Sequence, residues 1–354
     1  MERVRIGLVG CGAIAQAMHL PGIQMIADLG RADLVAVCDA LEDRARAASE
    51  RFGAPAYFTD LAEMLRRADF DLLVNTTPIP EHFAVSLAAL RAGRHVYSQK
   101  PLATTVEEAT RLIEEAQARG LTLACAPEHP VRPQVQTIKR LVDDGVIGKV
   151  AFAKVQSSHD GPEKHDVPRD STWYYKPGST PILDLGVHGL SQITSVLGPV
   201  QRLACFSGRS LPVRQITAGP FAGKRIDVEI DDNALLLLDF GRATFAFLDA
   251  TYCVEASLGP RLEIYGSAGT ISLTGRPHRW TLQLYETARG AWREVEVPPA
   301  SVVRDLGVLH TVECLLEGTP LRLTADHARH LVEIMAKAPE AAATGRTLAL
   351  ATRF

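Results

Sequence analysis

The sequence predicts an α/β chain of two domains: a doubly wound parallel sheet over 1–126, then an α+β domain with a mainly antiparallel sheet over 127–354. Three observations carry this. Short apolar runs alternate with helical stretches from residue 4 to about 126, the order that builds a parallel sheet covered on both faces. Three prolines in "PEHPVRP" (Pro127, Pro130, Pro133) then break the alternation. Beyond them, strand patterns follow one another with few helices between. A length of 354 residues also exceeds what one core ordinarily organises.

In order, "VRIGLVG" reads as a strand, followed by a helix from Ala13, the strand "ADLVAVCD" and the polar helix "LEDRARAASERFG". Next come "DLLVNTTP", the helix "EHFAVSLAALRAG", "HVYSQKP", the helix "VEEATRLIEEAQARG" and "LTLACAP". Gly53, Gly93 and Gly120 stand where left-handed caps end three of these helices. Thr105 and Glu108 have capping-box spacing. In the second domain the strand candidates are "KVAFAKVQSS", "NALLLLDF", "ATFAFLDATY", "RLEIYGS" and "TLQLYE".

Hydrophobic residues make up 46% and charged residues 22%, with a formal net charge of -3. This balance argues against a nucleic acid or an anionic membrane as partner. The longest apolar run, "ALLLL" at 234–238, is strand-sized rather than membrane-spanning. "MERVRIGLVG" runs directly into a strand pattern without a signal-peptide layout, so a cytoplasmic protein is expected. Six dispersed cysteines without a C-x-x-C pair suit buried thiols in a reducing compartment.

The first turn carries Gly10-Cys11-Gly12-Ala13-Ile14-Ala15, a G-x-G-x-x-A between strand and helix. Gly10 permits the tight turn, Gly12 lets backbone approach a pyrophosphate, and Ala15 allows close helix–strand packing. Asp39 closes the second strand, where a carboxylate accepts hydrogen bonds from an adenosine ribose and repels a 2′-phosphate. The expected cofactor is NAD(H) in preference to NADP(H). A generic strand-to-helix turn with a solvated aspartate is the plainer alternative.

Residues 180–198, "TPILDLGVHGLSQITSVLG", read as a helix with Asp184, His188, Ser191 and Ser195 on one polar stripe. A solvent-facing strip would account for it; an aspartate one turn before a histidine would also orient the ring as a base. Gly186 and Gly189 inside the helix imply that something approaches it closely. The preceding segment, 157–180, is polar and aperiodic and holds His159, His165, Trp173, Tyr174 and Tyr175. Rings and hydroxyls there suit a sugar or polyol face, or are aromatics tucked under a solvated loop. His159, Asp160, Glu163 and His165 match no standard ligand spacing, and no metal is expected.

Taken in order, G-x-G-x-x-A, "TTP…EH", "QKP" and D-x-x-x-H make the chain resemble the Gfo/Idh/MocA oxidoreductases, the family of glucose–fructose oxidoreductase and inositol dehydrogenase. The likeness covers nearly the whole chain, including "LVDDGVIGKV" at 141–150 and "YGSAGTISL" at 265–273. It implies a Rossmann domain and a second domain with a large open sheet. In this family nicotinamide and substrate meet between the domains, and the outer sheet face commonly forms a homodimer or homotetramer. Gly10, Gly12, Ala13 and Ile14 match the phosphate turn, Asp39 the ribose acid, and Thr76, Thr77, Pro78 and His82 a cofactor-lining stretch. Lys100, Asp184 and His188 match the catalytic set, with Gln99 and Lys100 also beside the cofactor. The implied reaction is hydride transfer at a hydroxyl or keto carbon of a sugar, polyol or derivative. His188 would be the base, Asp184 its support, and Lys100 the group offsetting alkoxide charge.

Three departures stand out, one being Ser191 where the family often has an aspartate three residues past the histidine. Gln99 replaces the usual glutamate, keeping a hydrogen-bonding amide but removing an anion beside Lys100. "CAPEHP" replaces the usual asparagine–arginine stretch after the sixth strand. An NAD-dependent glycosidase-like enzyme, a non-catalytic cofactor-binding regulator, and an oxidoreductase acting on an imine or tetrapyrrole are the alternatives on this fold.

Overall fold

A computed structural model describes every residue except 1, 168, 277–278, 300 and 304, and of residues 276 and 279 only the backbone. The apolar runs of the first half form β1 (Val4–Val9), β2 (Ala32–Cys38), β3 (Ala56–Phe58), β4 (Leu72–Asn75), β5 (His95–Ser98) and β6 (Leu123–Cys125). They make one parallel sheet in the order β3-β2-β1-β4-β5-β6. Its order reverses between β1 and β4, the position where open α/β sheets bind ligands beyond the strand ends. Between the strands run α1 (Leu20–Asp28), α2 (Glu42–Phe52), α3 (Leu61–Arg67), α4 (His82–Arg91) and α5 (Val106–Ala118).

The caps bear out their sequence signals. Gly53, Gly93 and Gly120 are left-handed. Thr105 Oγ1 accepts the Glu108 amide at 3.1 Å, while the Glu108 carboxylate returns to Thr104 instead, accepting its amide at 3.2 Å.

The division of the chain differs from the expected 126/127 cut. The first compact unit comprises Met1–Arg132, Pro299–Val332 and Arg353–Phe354, and the second Pro133–Pro298 and Glu333–Thr352. The segment that returns to the first unit contains α8 (Leu306–Glu317). Its Val308, Leu309 and Val312 join Leu20, Ile23 and Ile26 of α1 and Ile6 and Leu8 of β1 in one core. An apolar stripe shows that a helix must be covered, but not by which sheet, and so the sequence pattern did not reveal this return.

The second unit begins with α6 (Pro133–Asp143) and β7 (Val150–Ser158), and α7 (Val187–Leu197) follows the long loop. Further on come β8 (Arg202–Gly208), β9 (Val213–Gln215), β10 (Arg225–Asp227), β11 (Asn233–Asp239) and β12 (Phe245–Thr251). β13 (Leu262–Gly266), β14 (Gly269–Arg276), β15 (Arg279–Glu286) and β16 (Ala291–Glu294) extend the sheet. The helix α9 (Ala325–Thr344) contributes to both units, and β17 (Leu348–Ala349) closes the chain's strands. Nine strands lie in the order β16-β15-β14-β13-β7-β12-β11-β8-β17, antiparallel except for the β7–β12 pair. β9 and β10 form a separate hairpin.

One sheet face is covered by α7. A Cβ on Gly189 would lie 2.2 Å from Ser157 Oγ, 2.9 Å from Val155 Cγ1 and 3.0 Å from Leu248 Cδ1, and one on Gly186 3.2 Å from Ala250 Cβ. The partner that these glycines admit is thus the sheet itself. Gly189→Ala is expected to destabilise the protein by about 1–3 kcal/mol through overpacking, despite alanine's better helix propensity. A urea midpoint equal to or above wild type would contradict that close approach.

The opposite face carries Phe152, Phe206, Leu235, Leu237, Phe245 and Phe247, all exposed, alternating with buried Ala153, Leu236, Leu238, Ala246 and Leu248. They lie on the adjacent strands β7, β12, β11 and β8, forming one apolar surface. Among the described residues no helix is long and apolar enough to cross a membrane.

Candidate active site

In the first unit, β1 ends in a turn that only glycine can make at position 10. Gly10 has φ +92°, and a Cβ there would sit 2.6 Å from the Thr76 carbonyl oxygen. Thr76 in turn donates its hydroxyl to the Gly10 carbonyl at 2.7 Å, locking the turn to the end of β4. A Cβ at Gly12 would meet no atom within 4 Å, and Ala13 and Ile14 are exposed. The turn is therefore open at the point where a phosphate approaches helix amides.

Asp39 faces this turn. Its Oδ2 accepts the Cys11 amide at 2.8 Å and its Oδ1 the Leu41 amide at 2.9 Å, which leaves lone pairs on both oxygens for ribose hydroxyls. Burial, helped by Asp39, pushes the Cys11 and Cys38 thiols up to about 12, so neither is a ready nucleophile. A cavity of about 490 Å³ beside the turn is lined by Cys11, Gly12, Ala13, Gln16, Asp43, Arg44, Ala47 and Arg51. The open glycine, the helix amides and the carboxylate fit a dinucleotide. Arg44 and Arg51 were not anticipated; they follow Asp39 on α2, at positions where a polar helix gave no specific signal.

Thr77, Pro78 and His82 follow β4. His82 is buried, with Nδ1 2.7 Å from the Pro101 carbonyl oxygen and Nε2 2.9 Å from that of Thr77. A neutral ring has one N–H and serves one of these carbonyls at a time. Burial, and to a lesser degree Lys100, lowers its affinity for a second proton. His82 thus ties the cofactor-lining stretch to the peptide just past Lys100, which lies two residues beyond the end of β5. Gln99 Oε1 accepts the Lys100 amide at 3.2 Å, and Gln99 Nε2 lies 2.6 Å from His19 Nε2.

In the second unit the expected regular helix over 180–198 is corrected. Ile182–Gly186 form a π turn before α7 begins at Val187. The wider turn takes Asp184 out of the 3.6-residue period, while His188, Ser191 and Ser195 keep their helical spacing within α7. Asp184 is half-buried, His188 exposed and Ser191 1% exposed. Asp184 Oδ2 accepts the Tyr252 hydroxyl at 3.1 Å.

Tyr252 was not singled out from sequence, although it ends the strand pattern "ATFAFLDATY". It is fully buried at the centre of the predicted loop aromatics. Its ring stacks on His159 at 5.4 Å and meets Tyr175 at 5.5 Å and Tyr174 at 6.4 Å edge-on. Trp173 stacks on Tyr174 at 3.8 Å, and His165 lies 4.9 Å from His159. Burial pushes the Tyr174 hydroxyl up to about 12 and that of Tyr252 higher still, with Asp184 adding to both. These phenols remain protonated donors across the working range. The five expected substrate residues therefore surround the support of Asp184.

His159, Asp160 and His165 bring their ligating atoms within 4.8 Å of one another. His159 Nδ1 already accepts the Gly161 amide at 2.9 Å, which puts the neutral ring's proton on Nε2 and makes that nitrogen a donor. The group is set as a hydrogen-bonding surface rather than a preformed ligand cage.

Family models match both parts of the chain. The description "Oxidoreductase family, NAD-binding Rossmann fold" matches residues 4–126, and "GFO/IDH/MocA C-terminal domain" matches 135–272. D-apiose dehydrogenase of Paraburkholderia graminis is 27% identical over 77% of this chain and 68% of its own. The scyllo-inositol 2-dehydrogenase (NADP(+)) IolW of Bacillus subtilis is 24% identical over 99% of this chain and 97% of its own. A structure of levoglucosan dehydrogenase in complex with NADH superposes with a TM-score of 0.83 at 17% identity, covering 99% of this chain and 100% of that one. That likeness supports the fold.

Proposed function

Because the chain belongs to the Gfo/Idh/MocA oxidoreductases, we propose that it moves a hydride between a nicotinamide cofactor and a hydroxyl or keto carbon of a sugar or polyol. The observation that carries this reading is the open glycine turn abutting Asp39 at the switch point of the sheet. The nicotinamide, when bound, supplies the two-electron chemistry. The chain's own groups handle the proton and the charge. In the oxidation direction His188 takes the hydroxyl proton, Asp184 supports the ring that receives it, and Lys100 offsets negative charge on the substrate oxygen. Tyr252 holds Asp184, and the rings and hydroxyls around it offer a surface for a polyhydroxylated substrate.

The test is nicotinamide reduction on adding pooled sugars and polyols to the purified protein with NAD. A rise that splits to one pool supports the reading. No rise in any pool, with cofactor bound tightly, would transfer the assignment to a hydrolase or a regulator on this fold.

We assign NAD(H) rather than NADP(H) on the charge of Asp39, which repels a 2′-phosphate. Hydrogen bonds to a charged group contribute about 1.5–3 kcal/mol, so Asp39→Ser should shift the NAD:NADP efficiency ratio toward NADP by about 10–150-fold. An unmoved ratio would mean that Arg44 and Arg51 set the preference instead. The apolar face of the large sheet is assigned to contact with further copies of the chain, as a dimer or tetramer. Six free thiols, five of them buried, fit a reducing compartment, and we place the protein in the cytoplasm.

A further inference from the structure

Position 99 carries an amide where this family usually has a carboxylate, and its surroundings give a reason. The Lys100 N–H points at one end of the Gln99 side chain, 3.2 Å away, which identifies that end as the oxygen. The other end is then the NH2 group, 2.6 Å from His19 Nε2, and this ring nitrogen must accept. The single ring proton is left on Nδ1, 2.5 Å from Asp305 Oδ2, to which it is donated. The other Asp305 oxygen accepts the Val308 amide at 3.0 Å at the start of α8. His19 and Asp305 are both 0% exposed, so water does not come between that pair, and Gln99 is half-buried beside them.

Two local features bring the groups together. Ala15–His19 form a π turn, closed by the Leu20 amide on the Ala15 carbonyl, and the extra residue turns His19 inward. Gly22 leaves room for Asp305, since a Cβ there would lie 2.4 Å from the Asp305 Cβ. All of these residues belong to the first unit, although 286 positions separate His19 from Asp305.

We propose that Asp305, His19 and Gln99 form a buried positioning relay with fixed hydrogen-bond polarity, which holds the backbone at Lys100. His19 is then a positioning residue for the reaction, and the returning segment 299–332 supplies its anchor. An amide is the side chain that can accept from Lys100 N–H and donate to His19 at once. An ionised glutamate in the same place only accepts, and it would require a second proton on the ring. Gln99 is in this sense matched to His19 rather than a weakened glutamate. The link to turnover rests on the oxidoreductase reading above, whereas the relay's polarity does not.

The deciding measurement is nitrogen NMR of histidine-labelled protein without cofactor, with His19 identified by its loss in His19→Gln. The expected pattern is a protonated Nδ1 and a bare Nε2, converting to a doubly protonated ring in Gln99→Glu. A ring protonated on Nε2 alone would overturn the relay. The kinetic arm uses the sugar found with the pools and compares His19→Leu with Gln99→Met, which leaves the His19–Asp305 pair intact and guards against a folding defect. Misplacement of a reacting group by about 1 Å costs about 10²-fold, so both variants should lose about 10–100-fold in kcat, with the cofactor Kd of His19→Leu within about threefold. Unchanged kcat in folded variants would refute the positioning role. If no sugar turns over in wild type, the oxidoreductase reading fails on its own and the ring pattern still decides the relay.

Discussion

Lys100→Met is expected to lower kcat/KM by about 10²–10⁴-fold, the range contributed by a positioned acid–base or charge-offsetting group. Methionine keeps the length and apolar stem of lysine and removes only the ammonium. The effect should therefore fall on kcat more than on KM, because the charge it offsets develops during the reaction. Lys100 stands past the end of β5, and its neighbours are fixed independently of it: His82 reaches the Pro101 carbonyl, and Gln99 receives the Lys100 amide. A lost turnover thus reports the ammonium rather than a collapsed loop. His188→Ala should give a loss of similar size that a small imidazole added to the buffer partly restores. Turnover unchanged in Lys100→Met would remove this residue from the chemistry altogether.

What the sequence made legible was mostly what the backbone demands. A turn that needs φ +92° at Gly10, with Thr76 pressed against it, tolerates one residue type and can be read directly. The alternation of strand and helix is equally direct, because each period follows from which face is buried. Three kinds of information were hidden. Helical periodicity assumes 3.6 residues per turn, and the π turn at Ile182–Gly186 takes Asp184 out of register with His188, Ser191 and Ser195. Partners far apart in sequence leave no local trace, which is why His19 and its anchor Asp305 went unseen. Tyr252 looked like any strand-end aromatic until its hydroxyl was found on Asp184.

The loop that carries the candidate substrate residues depends on one buried cation. Arg214 donates to Glu163 Oε1 at 2.9 Å and to Asp232 Oδ2 at 2.8 Å, with side-chain exposures of 3%, 2% and 0% for the three groups. Its guanidinium lies 5.3 Å from the centre of the Tyr175 ring, and the Tyr175 hydroxyl donates to the second Glu163 oxygen. The two terminal nitrogens of one planar guanidinium thereby tie Glu163 of the loop and Asp232, just before β11, to the β9 strand, a geometry that lysine cannot reproduce. Arg214→Met should cost about 3–5 kcal/mol, because it strands two carboxylates in a dry interior. This is a large share of the roughly 5–15 kcal/mol that holds a typical fold. All three tryptophans, Trp173, Trp280 and Trp292, lie in the second unit, so their fluorescence follows its unfolding in urea without interference from the first. Adding Glu163→Gln to Arg214→Met removes one of the two anions and should recover part of the loss at neutral pH. A single variant as stable as wild type, or a deficit indifferent to Glu163→Gln, would show that the charges are not what pins the loop. In the destabilised variant Tyr175 loses the guanidinium over its ring, and its acceptor Glu163 loses its cation, so turnover should fall together with the urea midpoint, coupling the fold of the loop to the support of Asp184 through Tyr252.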